Sequence, residues 1–69
     1  MTAIRETDAE FRDRVTAVLL ALDAQRELVE AEMRGYTQAG LLRRNDQCAA
    51  WPAYVQACGR VVAIRGELV

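Results

Sequence analysis

The sequence predicts an all-α helical hairpin, and three observations support this fold. Residues 8–34 contain neither Gly nor Pro, and their apolar side chains recur at helical spacing. A capping-box sequence, Thr7-Asp8-Ala9-Glu10, marks the start of that stretch. Pro52 stands where proline favours a helix start, and apolar residues again follow at spacings of three and four. We therefore expect a long helix over about 8–34, a short helical turn, and a second helix over about 52–67.

The length of the chain limits it to one small domain. Sixty-nine residues form a single domain, expected over 1–69, with residues 1–6 as a frayed N-terminal arm. Apolar residues make up 52% of the chain, which suffices for a core and argues against disorder. A chain this short buries little surface, so staples or oligomerisation usually support its stability.

The composition argues against an enzyme. The chain has no His, Lys or Ser, which removes histidine acid–base catalysis, lysine Schiff bases and lysine phosphate loops. Cys58 has no His to activate it as a nucleophile, and two cysteines without His cannot complete an ordinary zinc site. Cys48 and Cys58 are expected to be free, buried thiols. We expect no catalytic residue, no cofactor and no metal.

The charges are divided unevenly between the two halves of the chain. Residues 1–34 carry five Arg and eight acidic residues, whereas residues 35–69 carry four Arg and two acidic residues. The halves should attract each other in an antiparallel hairpin or across a dimer. The net charge of −1 gives no basic footprint for nucleic acid. A helix-turn-helix contacting phosphate through Arg43, Arg44 and Arg60 is a weaker alternative, because the first helix is too long for it.

The apolar pattern of the first helix predicts self-association. Apolar residues follow one another at heptad spacing, and around residues 15–22 Ala17, Leu20 and Ala21 broaden the apolar face. A helix that is apolar on more than one face is buried against more than one neighbour. Gln25 would either fix the register of the pairing or turn to the edge of the interface. The predicted self-association or partner interface consists of Phe11, Val15, Val18, Leu19, Leu22, Gln25 and Val29.

An acidic group on the first helix is a possible partner-facing surface. The group consists of Asp23, Glu27, Glu30 and Glu32; the first three lie on one side at helical spacing, with Arg26 and Arg34 placed to neutralise Glu30. A solvated helix face explains the same pattern, and a di-iron site would need histidines that the chain lacks.

The connection and the second helix carry packing residues. Leu41 and Leu42 are expected on a helical turn that closes the core, with Asn45 or Asp46 capping a short helix over 47–50. A glycine inside a helix suggests close approach by another helix. The predicted packing residues are Trp51, Tyr54, Cys58, Gly59 and Val62.

The last 29 residues carry a resemblance. Leu41-Leu42, the run Cys48-Ala49-Ala50-Trp51-Pro52-Ala53-Tyr54 and the step Gly59-Arg60-Val61 together resemble small helical-hairpin proteins of tailed bacteriophages. Genes for such proteins often lie among head and tail morphogenesis genes. The phage pattern usually continues with Gly-Leu, where this chain has Ala63-Ile64. The resemblance implies a phage or prophage origin, with Pro52 starting the second helix, Tyr54 anchoring it and Gly59 allowing close packing.

These observations predict a non-enzymatic phage interaction protein. We expect a minor virion or assembly component that packs on larger phage proteins. The alternative is a small dimeric inhibitor of a host regulator or enzyme, such as a quorum-sensing regulator or a defence protein. The expected partners are proteins: a second copy in a four-helix arrangement, a larger phage or host protein, or both. No apolar run is long enough for a membrane span, and without a signal peptide we expect the host cytoplasm or the virion rather than secretion.

Overall fold

The computed structural model describes residues 5–68 and confirms the predicted all-α helical hairpin. Helix α1 spans Asp8–Gln38 and helix α2 spans Trp51–Gly66, with a single 3₁₀ turn, Asn45–Gln47, between them. Most of the arm predicted at residues 1–6 lies outside the described residues.

The start of α1 is fixed by the predicted capping box. The Thr7 hydroxyl oxygen accepts a hydrogen bond from the Glu10 amide at 3.1 Å. The Glu10 carboxylate in turn accepts one from the Thr7 amide at 3.4 Å. Both bonds satisfy amides that a helix start leaves without intrahelical partners, so this prediction is confirmed.

The predicted end of α1 at residue 34 is wrong, because the helix continues to Gln38. Gly35 remains helical, since a glycine inside a helix costs only about 1 kcal/mol relative to alanine. Gly40 ends the helix by adopting a φ of +74°, a left-handed conformation that suits glycine. Its amide donates to the Thr37 carbonyl at 3.0 Å, and the Leu41 amide donates to the Tyr36 carbonyl at 2.8 Å. These two bonds form a Schellman motif.

The connection also differs from expectation. Leu41 and Leu42 lie outside any helix and Leu42 is fully exposed, so the predicted core-closing turn is wrong. The 3₁₀ turn begins at Asn45, two residues before the expected 47–50 helix. The Arg44 amide at its start donates to Gln47 Oε1 at 2.8 Å. Helix α2 begins one residue earlier than predicted and ends one residue earlier.

Helix α2 lies antiparallel along the middle of α1. Ala50, just before its start, contacts Glu32, while Glu67, just beyond its end, contacts Arg14. Among the described residues, the buried ones are Val29, Cys48, Ala57 and Ile64. The molecule measures 59 × 20 × 16 Å, which is one helix thick in one direction and two in the other. A hairpin of this shape has a thin core and leaves much of each helix surface open.

Candidate interaction surfaces

The α2 end of the connection is held by one carboxylate, that of Glu32 on α1. Its Oε2 accepts a hydrogen bond from the Ala49 amide and its Oε1 from the Ala50 amide, both at 2.8 Å. These amides precede the first turn of α2, where a negative charge interacts favourably with the helix dipole. Hydrogen bonds from the two amides hold the pKa of Glu32 below its ordinary value. Glu32 is therefore a cap supplied by a different helix.

Tyr36 and Cys48 also take part in this contact between α1 and the start of α2. The Tyr36 hydroxyl donates to Glu32 Oε2 at 3.2 Å, and this bond raises the pKa of Tyr36. The Cys48 thiol is buried, and its Sγ lies 3.9 Å from the Val29 carbonyl oxygen to which it donates. Burial raises the pKa of the Cys48 thiol, and the neighbouring charge of Glu32 adds to that effect. Cys48 is thus a packed thiol with little thiolate character.

The opposite end of the hairpin is held by Arg14. Its guanidinium binds the Glu67 carboxylate through two hydrogen bonds of 2.6 and 2.9 Å. It binds Glu6 through two more, both of 2.9 Å. The Arg14 hydrogen bonds lower the pKa of Glu67, and both carboxylates raise the pKa of Arg14. All three side chains are substantially exposed, so solvent screens this cluster and it orients α2 more than it stabilises it.

An open groove of about 460 Å³ lies between α1 and the start of α2. Met33, Trp51 and Tyr54 form its apolar part, and the two aromatic ring centroids lie 5.2 Å apart. Glu30 and Arg34 contribute opposite charges to its lining. An apolar groove bordered by both charge signs suits a protein side chain or a helix edge.

Several large apolar side chains are exposed on the described surface. On α1 these include Leu19, Leu20 and Leu28, and on α2 Val55 and Val62. Leu20 is 63% exposed and Val62 is 69% exposed. Exposed apolar side chains that lie together on one side of a molecule are typical of a surface that meets a partner.

The structure divides the predicted self-association residues between two environments. Val29 is buried within the chain, where its carbonyl receives the Cys48 thiol. Leu19 remains exposed. The other predicted members are half-buried along the side of α1 that α2 covers: Phe11, Val15, Val18, Leu22 and Gln25. Most of this stripe therefore forms the hairpin, and the open apolar surface lies elsewhere on α1.

The predicted packing residues of α2 are also divided between half-buried and exposed positions. Trp51, Tyr54 and Cys58 are half-buried. Gly59 and Val62 are exposed on the outer side of α2, and the space around a Cβ built on Gly59 is open to 4 Å. Helix α1 therefore does not make the close approach expected at Gly59, and any such contact would come from another molecule.

The acidic residues are arranged differently from the sequence expectation. Asp23 forms an ion pair with Arg26 at 2.6 Å, so the ion-pair partner of Arg26 is Asp23 rather than Glu30. Glu27 and Glu30 are exposed on the same helix. Within residues 5–68, no group of three or more His, Cys, Asp or Glu side chains is placed to hold a metal ion.

Sequence reasoning missed Glu32, which was grouped with the acidic surface of α1. A signal was present, because Glu32 lies seven residues after Gln25 and therefore shares its place in the heptad pattern that faces α2. A charged residue in that position needs a buried or capping partner.

Comparisons with protein-family models, with curated proteins and with solved structures return no match to this chain. The resemblance of the last 29 residues to phage hairpin proteins therefore stays a prediction. Over the described part of the chain, no helix has both the length and the apolar character required to cross a membrane.

Proposed function

We propose that this chain is a non-enzymatic interaction protein that pairs with a second copy and packs against a larger phage protein in a virion or its assembly intermediate. The observation that carries the proposal is the contrast between a thin core and a large exposed apolar surface. Four residues are buried among those described, whereas eight large apolar side chains are exposed. Covering such side chains removes apolar surface from water, which is the main driving force of protein association.

Self-association would bury apolar surface that the thin core of a single chain leaves exposed. A 69-residue hairpin of two helices buries a smaller share of its surface than a larger domain does. Pairing two hairpins gives a four-helix arrangement in which each α1 gains a neighbour on a second side.

The phage partner is supported by the sequence resemblance of the last 29 residues, and the groove near Trp51 offers it a contact surface. Purified particles induced from the bacterium that carries the gene provide the test. Peptides of this chain should be present in gradient-purified particles and absent from the same fraction of an uninduced culture. Particles that contain every other structural protein but lack this chain would contradict a virion role.

The second candidate is a small inhibitor of a host regulator or enzyme. Exposed Leu28 beside exposed Glu27 favours it, because an amphipathic helix edge of this kind can occupy a groove on another protein. Affinity purification from host lysate should then recover one host protein in stoichiometric amount. A Leu28→Glu variant serves as the control, and equal recovery with both baits would mark the captured protein as non-specific.

A further inference from the structure

One side of α1 carries an apolar face that is mostly open: Ala17, Ala24, Leu28 and Ala31 are exposed, and Ala21 is half-buried. Ala17, Ala21, Ala24, Leu28 and Ala31 follow one another at spacings of 4, 3, 4 and 3, which is the seam pattern of a coiled coil. Each of these residues comes directly before a residue of α1 that faces α2. This outer face is therefore rotated by about 100° around the helix axis from the side that faces α2. Leu28 is 53% exposed, and Leu20 at the edge of the face is more so.

We propose that a second copy of this chain occupies the outer face of α1, with the two α1 helices antiparallel. This inference rests on the self-association in the proposed function and specifies its surface and orientation. The small alanine side chains allow the two helix axes to approach to the short end of the 8–10 Å range. Each α2 then lies to the side of the central α1 pair, which gives four helices in all.

Charge complementarity selects the second copy and its direction. Asp13, Leu20, Glu27 and Arg34 succeed one another at seven-residue intervals along one edge of the outer face. Asp13 lies eleven residues before Ala24, and Arg34 lies ten residues after it. A two-fold axis near Ala24 therefore brings Asp13 of one copy opposite Arg34 of the other, twice in each dimer. Both side chains are exposed, and neither forms an ion pair with any described residue.

A parallel pairing through the same face would not bring these charges together. In a parallel pair, one edge of the first helix lies against the opposite edge of the second, so Asp13 and Arg34 of one copy would not face those of the other. The opposite charges of Asp13 and Arg34 therefore favour the antiparallel arrangement.

A charge exchange tests both the face and its direction. Sedimentation equilibrium at low salt would compare the wild-type chain with Asp13→Arg, Arg34→Asp and the double variant that carries both changes. Each single change creates two repulsive contacts per dimer and should weaken the dimer about tenfold. The double variant restores opposite charges and should recover wild-type affinity to within about threefold. A parallel dimer has no basis for this recovery.

A second pair of variants locates the surface independently. Ala24→Glu places a charge at the centre of the outer face, and Val62→Glu places the same charge on the exposed side of α2. Ala24→Glu should yield monomers with unchanged helical circular dichroism, while Val62→Glu should remain dimeric. A dimer that survives Ala24→Glu, is broken by Val62→Glu, or is not recovered by the double charge exchange would overturn this inference but leave self-association standing. A monomeric wild-type chain would overturn both.

Discussion

The Glu32 carboxylate on α1 accepts a hydrogen bond from the Ala50 amide at 2.8 Å, directly before the first turn of α2. The Ala49 amide donates to the same carboxylate. Ala50 has no side chain that can cap its own helix, so the cap comes from the neighbouring helix. One residue thus joins the start of α2 to α1 and fixes the angle at which the hairpin closes.

Replacing Glu32 by Gln should destabilise the hairpin at neutral pH, because an amide accepts through one oxygen while its NH₂ group opposes the other amide. The pKa of Glu32 is lowered on folding, so its stabilisation is present above the ordinary carboxylate value of 4.5 and is lost as the pH falls through the lower folded value. Thermal unfolding of both proteins between neutral and acid pH provides the measurement. The difference in melting temperature should shrink below pH 4.5.

Glu30→Gln is the matched control, since Glu30 is exposed on the same helix. It should leave the melting temperature at neutral pH nearly unchanged. An equal effect from both variants would show that the loss of one negative charge, rather than the cap, causes the change. Glu67 also has a lowered pKa and remains in both variants, so its contribution cancels in the comparison.

Gly40→Ala should destabilise the chain by roughly 1–2 kcal/mol, because its φ of +74° strains any side chain. Gly59→Ala should instead stabilise it by about 0.5–1 kcal/mol, since Gly59 is helical and the space around its Cβ position is open. Urea unfolding at one fixed protein concentration measures both effects. Destabilisation by Gly59→Ala would reveal a close neighbour at that position.

Ile64→Ala should cost about 2–5 kcal/mol, because Ile64 is one of the buried residues of a thin core. Val62→Ala, two residues away and 69% exposed, should change stability by less than about 0.5 kcal/mol. Far-ultraviolet circular dichroism during urea unfolding distinguishes them. Similar losses from the two substitutions would mean that the outer side of α2 is as well packed as its inner side.

Cys48 should resist alkylation in the folded protein. Its side chain is buried and its pKa is raised by burial, whereas Cys58 is only half-buried. Iodoacetamide labelling followed by peptide mass spectrometry should show Cys48 reacting at least about tenfold more slowly than Cys58. Urea should bring the two rates together. Rapid labelling of Cys48 in the folded protein would indicate that the contact between Glu32 and the start of α2 opens readily.

The sequence predicts those parts of the fold that depend on neighbouring residues. The capping box of Thr7 and Glu10 and the helix start near Pro52 are local; the structure contains the capping box and begins α2 one residue before Pro52. The sequence does not distinguish Gly35 from Gly40 as the end of α1, because only the backbone conformation of Gly40 differs.

The relation between the two helices was harder to predict. Whether a side of α1 faces α2 or solvent depends on the direction from which α2 returns, and a one-residue step turns the helix by about 100°. The sequence therefore assigns the pattern that begins at Phe11 to a partner, whereas its member Val29 is buried within the chain. The exposed Leu20 and Leu28 lie on the side of α1 that α2 does not cover.

The molar mass of the untagged wild-type chain in solution tests the central claim of self-association most directly. Sedimentation equilibrium over roughly 10–100 µM measures it without reference to any partner, and mass action requires a concentration series. We expect a mass that approaches twice the 7.7 kDa of one chain as concentration rises. A folded species that stays at 7.7 kDa across the whole range would contradict the account.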